Sequence, residues 1–523
     1  MESTVIIISF LVTSLGSLFL KTKKRVQTIN LFLSLWGGGF LIFNVLPFIF
    51  QIQEKKITTW WMMDSFSALI VFLIAFVYVA TVVVSVRYIG HEYDEKIINL
   101  HQYKLYFALL QLFVLCMLIT VTTNNSLILW LALEGTTLFS TFLVGLYRKK
   151  TSIEAAWKYM ILCSTGISLG LVGILLLSYG AHEAGVVGES IFSISALMSN
   201  AQLIPANVIK LAFVFLFIGF GTKVGLVPMH TWLPDAHSKA PSPISAIFSA
   251  VLLNVALYAI LRFKFITDNA FSDSAWTNHL FLIFGFLSII LATLMMLIQT
   301  NYKRMLAYSS IEHMGLILFA LGLSPIGAIA GVMHMVGHTF IKSTLFFGAG
   351  EILIGWKTTK IDKIKNMLSR ARYTSFLFIS AIVLIIAVPP SALFMSEYGL
   401  FNQAIILYPT LAVILFVALG IIAYAMLSLT INMIFATEKT EDDIKQAHLR
   451  QGYGEAKSSV AKGYGVTKPA YAQGYGEAKE HWNVTHTIMT VELIIVAILA
   501  MWFTTSGGIN VIDNIVRDFL FIK

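Results

Sequence analysis

The sequence predicts an all-α polytopic membrane protein with about fourteen transmembrane helices. Hydrophobic residues make up 57% of its 523 residues and charged residues only 12%, and the mean hydropathy is +0.81. The chain is a series of apolar runs of roughly 20 residues, the length that crosses a bilayer as a helix. Short polar segments separate most of these runs. This composition excludes an ordinary soluble globular domain.

The predicted spans follow one another along almost the whole chain, and their limits carry the usual error of about two to four residues. They are 4–20, 28–50, 62–86, 103–122, 124–146, 155–179, 206–236, 240–263, 279–299, 303–323, 325–354, 373–405, 408–435 and 484–505.

The basic residues fall mainly in alternate loops. The formal net charge of +9 would suggest a nucleic-acid partner in a soluble protein. Here the basic loops share one side of the predicted membrane: 21–25, 148–150, 303–304 and 357–372. The loop 180–205 on the other side has no Lys or Arg, although Arg262 and Lys264 depart from the trend. Because cytoplasmic loops are rich in Lys and Arg, we expect both termini outside and no nucleic-acid partner.

Two predicted spans contain an interruption. The seventh is too long for one straight crossing and contains Gly225 and Pro228, and the twelfth contains Pro389 and Pro390 near its middle. Broken helices at matching places in two halves are typical of inverted-repeat transporters and mark their ion sites. The alternative, a proline kink that neighbouring helices tolerate, stays open for either break taken alone.

These observations divide the chain into five units. The predicted units are helices 1–3 (1–102), a first inverted five-helix repeat (103–264), a second one (279–436), a flexible cytoplasmic loop (437–483), and the last helix with an amphipathic tail (484–523). The loop repeats Gly-Tyr-Gly every eleven residues, at 452, 463 and 474, and glycine at that density opposes a helix. A docking strap for a partner and an insertion without function both remain open for it.

Two cysteines, Cys116 and Cys163, each lie within an apolar run. Two separate cysteines cannot ligate an iron–sulfur cluster, and the sequence contains no haem, flavin or nucleotide motif. We therefore expect no cofactor, no metal and no redox chemistry of its own in this chain.

Charged residues inside the apolar runs are the main functional signal. Glu134 lies near the middle of the fifth span and Lys223 lies beside the break in the seventh. A charge at bilayer depth is costly and by default functional. The two residues have opposite sign, so we expect each to modulate the proton affinity of the other. A static buried ion pair is the structural alternative.

His334, His338 and Lys342 in the eleventh span are four residues apart and share one helical face. Histidine exchanges protons near neutral pH, so this face predicts a proton relay that ends at Lys342. A zinc site is the weaker hypothesis, because no third ligand is evident.

Three further titratable residues extend this pattern. Glu312 in the tenth span is a candidate counter-charge for Lys342, whereas its neighbour His313 points in another direction and packs as a neutral group equally well. Glu397 follows the break in the twelfth span. We predict that Glu397 exchanges protons with the outside.

Other polar residues are secondary candidates. Lys158 fits an interface anchor that reaches toward water as well as a relay residue. His230, Asp235 and His237 follow the break in the seventh span. Their position is consistent with an entry site for protons, and an ordinary polar loop explains them equally well.

Four segments resemble the antiporter-like subunits of respiratory complex I, Mrp cation/proton antiporters and membrane-bound hydrogenases. These are Ala-Leu-Glu-Gly-Thr-Thr at 132–137, the segment 221–237, Lys-Arg-Met-Leu-Ala-Tyr-Ser-Ser at 303–310, and the face of His334, His338 and Lys342. The resemblance covers the first thirteen spans. It implies fourteen helices with two inverted five-helix repeats, an axis of buried charges parallel to the membrane, and a bacterial or archaeal inner membrane.

Within that family, the segment 311–314 and the length are most similar to component F of the hydrogenase-4 group. By resemblance, Glu134, Lys223 and Glu397 match the family's charged residues on the fifth, seventh and twelfth spans. One departure is Asn254, where complex I members usually have Lys or His. At this position proton transfer must pass through water, or His313 must substitute for the missing charge.

The resemblance implies a proton-translocating subunit of a redox-driven respiratory or hydrogenase complex. Its partners would be other antiporter-like subunits, quinone- or hydrogenase-module subunits and the lipid bilayer, and its ion H⁺ or Na⁺. Two alternatives stay open: an Mrp-type Na⁺/H⁺ antiporter subunit, and a membrane anchor for a hydrogenase module that conducts no ion.

Overall fold

The structure is a computed structural model that describes residues 2–436 and 480–520. The predicted Gly-Tyr-Gly loop covers 437–483, and its residues 437–479 lie outside the described residues.

Helices account for nearly all of the described chain. The main helices are α1 (Glu2–Phe19), α2 (Lys23–Ile49), α3 (Ser65–Asp94), α4 (Leu100–Thr122), α5 (Ser126–Val144), α6 (Lys150–Glu183), α7 (Ala206–Val224), α8 (Trp232–Lys239), α9 (Ser242–Phe271), α10 (Ala275–Leu297), α11 (Tyr302–Leu323), α12 (Pro325–Trp356), α13 (Arg372–Ile385), α14 (Ala392–Leu407), α15 (Pro409–Phe435), α16 (Val484–Trp502) and α17 (Ser506–Leu520). Shorter helical segments are Gly188–Phe192, Ile194–Ser199, Ala201–Leu203, Ile361–Lys363 and Met367–Arg370. Two short strands, β1 (Lys56–Ile57) and β2 (Met62–Met63), pair antiparallel.

The prediction of an all-helical protein with many membrane spans is confirmed. Within the described ranges, eleven helices are long and apolar enough to cross a membrane, against about fourteen predicted spans. The three other predicted spans also coincide with helices. In α1 the apolar stretch covers only Ile7–Phe19, and α13 has 14 residues. The titratable residues of α12 lower its mean hydropathy. The same residues that indicate function therefore make this helix harder to recognise as a membrane span.

The core surrounds α9, α11 and α12. The apolar window of α9 and that of α11 are buried along their whole length, whereas two thirds of the window of α15 face outward. Helix α12 packs against α11, α13, α14 and α16. The titratable residues of α12 therefore lie far from lipid and from water.

Both segments for which we predict an interruption contain one. Helix α7 ends at Val224 and α8 begins at Trp232. Gly225 ends α7 with φ of +80°, and a Cβ there would lie 2.6 Å from Leu233 Cδ1, so only glycine fits. The Trp232 Nε1–H donates to the Thr222 carbonyl at 2.7 Å, which satisfies an acceptor that the end of α7 leaves free.

The second interruption separates α13, which ends at Ile385, from α14, which begins at Ala392. The Ser391 hydroxyl accepts a hydrogen bond from the Leu393 N–H and caps the new helix. Each break thus places a polar helix end inside the bundle.

The two basic residues that depart from the loop-charge trend are buried. Arg262 donates to Asp64 Oδ1 at 2.7 Å and to the Ser67 hydroxyl at 2.8 Å. Lys264 pairs with Asp268 at 2.5 Å. Both cations are neutralised within the bundle, so they carry no information about which side of the membrane their loop faces.

Glu480, before α16, ties the last predicted span to the start of α13. Its carboxylate accepts hydrogen bonds from the Thr374 hydroxyl at 2.6 Å and the Tyr373 N–H at 2.8 Å, and lies 3.2 Å from His486 Nε2. Burial alone would raise the pKa of Glu480, but these hydrogen bonds lower it overall. The ionised carboxylate therefore anchors α16.

Candidate functional site

The first lysine site consists of Lys223, Thr137, Tyr159 and Ser140. Lys223, in the last turn of α7, is 0% exposed. Its ammonium donates to the Thr137 hydroxyl at 2.8 Å and to the Tyr159 hydroxyl at 2.6 Å, and lies 4.8 Å from the centre of the tyrosine ring. The Tyr159 oxygen lies 2.7 Å from the Ser140 hydroxyl. Neutral oxygens and an aromatic face thus surround the ammonium.

Glu134 and Lys223 do not contact each other. One Glu134 oxygen accepts a hydrogen bond from the Ser164 hydroxyl of α6 at 2.6 Å, and the other has no partner in the described chain. Thr137, one turn further along α5, takes the position beside the ammonium. The two charges that we expected to modulate each other interact through space and not through a hydrogen bond.

The second lysine site consists of Lys342, Glu312 and the Leu306 carbonyl. Lys342 is also 0% exposed, and its ammonium donates to the Leu306 carbonyl at 3.0 Å. Glu312 is buried, and neither of its carboxylate oxygens has a hydrogen-bond partner among the described residues. The predicted counter-charge is therefore close enough to interact electrostatically with Lys342 but forms no ion pair with it.

Three imidazoles form the histidine cluster: His313, His334 and His338. His313 Nδ1 lies 3.0 Å from His334 Nε2, and the centre of the His313 ring is 5.1 Å from that of His338. The four-residue spacing on α12 places His334 and His338 on either side of His313, which comes from α11. Neither His338 nitrogen has a hydrogen-bond partner in the part that the structure describes. His313, for which we left packing open, is the centre of this cluster.

Glu397, on α14, adjoins the histidine cluster at the second break. Its carboxylate and one nitrogen each of His313 and His334 all lie within 4.8 Å of one another. Glu397 is partly exposed and also lines a cavity of about 560 Å³ between the second break, α14 and α15. Glu397 thus connects the buried histidine cluster with an open cavity on this side of the bundle.

His237 lies between the two lysine sites. Its ring stacks on Phe346 at 5.1 Å and meets Phe248 edge-on at 5.8 Å, and Phe248 in turn lies 6.0 Å from Tyr159. Both His237 nitrogens are buried and without a partner among the described residues. Of the three polar residues after the first break, His237 is the one that enters the bundle interior.

His230, Asp235 and Lys158 stay nearer the rim. Asp235 accepts from Arg304 at 2.9 Å and lies 3.6 Å from the Lys158 ammonium, which pairs with Glu154 at 2.6 Å. His230 is mostly buried, beside Tyr308. Because Lys158 is 51% exposed, the structure favours an interface residue over a member of the buried path.

Asn254 connects two helices. Its amide donates to the Ala250 carbonyl at 2.8 Å and to the Thr339 hydroxyl at 3.0 Å, so it links α9 to α12. A π-helical turn at Phe248–Leu252 precedes it. Asn254 supports the region between the lysine sites but contacts neither ammonium.

Sequence reasoning missed four residues of this interior. Thr137 and Tyr159 hold Lys223, but hydroxyl side chains are common in membrane helices and give no signal. Lys303, which we counted as a loop charge, is buried and donates to the Ala240 carbonyl at 2.7 Å. Glu492 accepts from the hydroxyls of two residues that follow Lys342, each at 2.7 Å. It interrupts an apolar run as Glu134 does, so the same rule could have found it.

Comparison with known proteins identifies the family. The family model described as NADH:quinone oxidoreductase/Mrp antiporter, TM matches residues 123–423. The chain belongs to this family. It is an antiporter-like multi-pass membrane subunit, as the resemblance implied. Residues 123–423 include both lysine sites, the histidine cluster and Glu397.

Curated relatives agree with this assignment. The chain is 34% identical over 400 residues to a hydrogenase-4 component F homolog of Methylacidiphilum infernorum (isolate V4), covering 76% of this chain and 82% of that protein. It is 32% identical over 342 residues to NADH-quinone oxidoreductase subunit N of Ruthia magnifica subsp. Calyptogena magnifica, covering 63% and 68%. Such relatives are subunits of multi-subunit membrane complexes.

A solved structure supports the fold. A chain of the membrane-bound sulfane sulfur reductase, an archaeal respiratory membrane complex, superposes with a TM-score of 0.78 and 21% identity over 99% of this antiporter-like chain and 98% of that chain. At this identity the likeness concerns the fold alone.

Proposed function

We propose that this antiporter-like chain is a proton-translocating subunit of a redox-driven respiratory or hydrogenase complex. Protons would move along Glu134, Lys223, His237, Lys342, the histidine cluster and Glu397. One observation carries the proposal: two lysines at bilayer depth are fully buried, and no carboxylate contacts either ammonium within the described residues.

That arrangement suits proton exchange better than structural support. A buried structural ion pair requires a carboxylate in contact with the cation and hydrogen bonds to the remaining groups. Lys223 and Lys342 instead have neutral acceptors, so the nearby titratable groups decide how strongly each lysine holds its proton. A proton that arrives at one group then alters the proton affinity of the next group along the path.

The membrane arrangement of the proposal follows loop charge and the paired breaks. Fourteen spans with two inverted five-helix repeats would place both termini outside and α14 in the outer half of the bilayer. Glu397 would then be the residue that exchanges protons with the outside. Partner subunits would supply the redox energy, as they would for the relatives, a hydrogenase-4 component F homolog and an NADH-quinone oxidoreductase subunit N.

The test replaces each buried lysine with methionine, which has a similar length and no charge. In the complex purified with its partner subunits and reconstituted in vesicles, Lys223→Met and Lys342→Met should each reduce proton uptake at least about tenfold, a barrier change of about 1.4 kcal/mol. Lys210→Met is the matched control, because Lys210 lies on the same helix as Lys223 but is exposed. The control should pump at the normal rate.

The outcomes distinguish the alternatives. Normal pumping by both buried variants, with the complex intact, would leave the chain as a membrane anchor that conducts no ion. Loss of Na⁺ transport together with H⁺ transport would favour the Mrp-type antiporter. Loss of pumping in the Lys210 control as well would show that the assay reports assembly and not conduction.

A further inference from the structure

His313, His334 and Glu397 come from three different helices, yet their side chains converge at the second break. One ligand atom from each lies within 4.8 Å of the other two. We propose that these three residues form a binding site for a transition-metal dication, with Zn²⁺ as the best match. Sequence reasoning dismissed a metal here, because spacing along α12 suggested only His334 and His338 and no third ligand.

The ligand set fits zinc. Two imidazole nitrogens and one carboxylate oxygen are a known zinc set that leaves the fourth tetrahedral position open. With Zn–N distances of about 2.0–2.1 Å, two nitrogens of a tetrahedral site lie about 3.3 Å apart. The His313 Nδ1–His334 Nε2 distance of 3.0 Å is close to that value. The ligand atoms of the three residues lie within 4.8 Å of one another, so the Glu397 side chain must move about 1.5 Å closer to the histidines to share the same ion.

The tautomer of His334 leaves the required nitrogen free. The Ser396 hydroxyl donates to the Leu393 carbonyl at 2.9 Å, so its oxygen accepts from His334 Nδ1, 3.0 Å away. His334 Nδ1 therefore carries the hydrogen, and Nε2 directs a lone pair toward the site. Ser396 is a positioning residue that holds the imidazole as outer partners of zinc-binding histidines do.

His313 has the corresponding outer partner. Its Nε2 lies 3.3 Å from Glu312 Oε2. When Nδ1 binds a metal, the ring carries its hydrogen on Nε2, which faces that carboxylate as in the carboxylate–histidine–zinc arrangement. Neither Glu312 oxygen has a hydrogen-bond partner among the described residues, so the carboxylate is free to accept this hydrogen after a small adjustment of the two side chains. Two carboxylates, Glu312 and Glu397, then balance the double charge of the ion.

A metal at this place would join α11, α12 and α14 and occupy the nitrogens at the end of the path. We therefore expect Zn²⁺ to inhibit pumping. That consequence rests on the proposed function, whereas binding of the metal does not.

The experiment measures binding directly. The full chain in its complex, in lipid nanodiscs and stripped with a chelator, is titrated with Zn²⁺ alone. Zinc content should reach one ion per chain above the content of the Glu397→Gln complex. Zinc X-ray absorption should show nitrogen and oxygen ligands at about 2.0–2.2 Å. His334→Gln and Glu397→Gln should lower the affinity by more than the roughly 10–100-fold that loss of an outer partner costs.

Two further variants locate the site. Ser396→Ala should weaken binding roughly 10–100-fold, and His338→Gln, on the same helical face but outside the set of three, should leave it unchanged. Equal loss in His338→Gln, or undiminished binding in the ligand variants, overturns the proposal, as does the absence of a stoichiometric ion. If a ligand variant does not fold, the comparison of zinc binding by Ser396→Ala with zinc binding by His338→Gln decides whether the site exists. Binding without inhibition would keep the site and count against the proposed path.

Discussion

The two lysine sites follow one plan but use different chemistry. Each lysine is fully buried and is held by neutral oxygens. Around Lys223 the partners are side-chain hydroxyls, which keep the same charge at any pH near neutrality. Around Lys342 they are a backbone carbonyl and, nearby, the histidine cluster, whose ring nitrogens can donate or accept a proton. Two buried lysines in one chain therefore need not perform equal steps.

The sites also differ in how completely their polar atoms are satisfied. In the first site, the hydroxyls and the ammonium all have hydrogen bonds. In the second region, both Glu312 oxygens and both His338 nitrogens lack hydrogen-bond partners among the described residues. Each such buried group costs roughly 1–3 kcal/mol. A cost of this size marks the second region as the part shaped more by function than by stability.

The strongest test of this difference is Tyr159→Phe. It removes one hydroxyl from the ammonium of Lys223 without creating a large cavity. A hydrogen bond to a charged group contributes about 1.5–3 kcal/mol, so the free energy of unfolding in mixed micelles should fall by that amount. Proton uptake should fall roughly ten- to hundredfold if the same energy enters the barrier.

Tyr78→Phe is the control for that variant, because the Tyr78 hydroxyl is buried but bonds the neutral amide oxygen of Gln111 at 2.6 Å. It should lose about 0.5–1.5 kcal/mol and pump normally. Equal effects of the two variants on pumping would mean that the first site is an ordinary buried contact.

The next test is His338→Phe, in the second region. Because neither nitrogen of His338 is hydrogen-bonded in the described chain, an apolar ring of similar shape should leave the free energy of unfolding unchanged or raise it by up to roughly 1–3 kcal/mol. Pumping should fall nevertheless. Loss of proton uptake without loss of stability would distinguish the second region from the first, where we expect both quantities to decrease together. A variant that pumps at the full rate would remove His338 from the path.

The smallest expected effect concerns the residue between the sites. Asn254→Ala removes two hydrogen bonds to neutral acceptors, of about 0.5–1.5 kcal/mol each. Because Asn254 contacts neither ammonium, uptake in vesicles should stay within about twofold of normal, a barrier change of less than about 0.5 kcal/mol. A loss as large as that of Tyr159→Phe would place Asn254 in the path, as the comparison with complex I first suggested.

Much of the site could be predicted because charge inside an apolar run is rare. Glu134, Lys223, Lys342 and Glu397 all carry that signal, and each belongs to the path that we propose. Glu492 carries the same signal and was overlooked. Tyr159 could not be predicted, because a tyrosine in a membrane helix is ordinary until its partner is known.

Contacts between helices were less predictable. Opposite charge suggested that Glu134 and Lys223 modulate each other, but the rotation of α5 directs Thr137 at the ammonium and Glu134 at Ser164. Arg262 was likewise a poor guide to which side of the membrane its loop faces. Its charge is neutralised by Asp64, almost two hundred residues away along the chain, and the sequence does not reveal that contact.

The sequence by itself determined the membrane class, the helices, both breaks and most of the buried charges. These properties follow from local rules: hydropathy over a window, the backbone limits of Gly and Pro, and the cost of charge in lipid. Spacing also determined that His334 and His338 share a face, since helical geometry is periodic.

Only the tertiary structure decided which helices meet. His313, His334 and Glu397 converge because α11, α12 and α14 approach closely at one depth, and no spacing along a single helix encodes that approach. Packing at small residues sets it. Gly285 on α10, for example, has no room for a Cβ, which would lie 2.7 Å from the Phe319 nitrogen of α11. The position of α11, and hence of His313, depends on such contacts summed over the whole bundle.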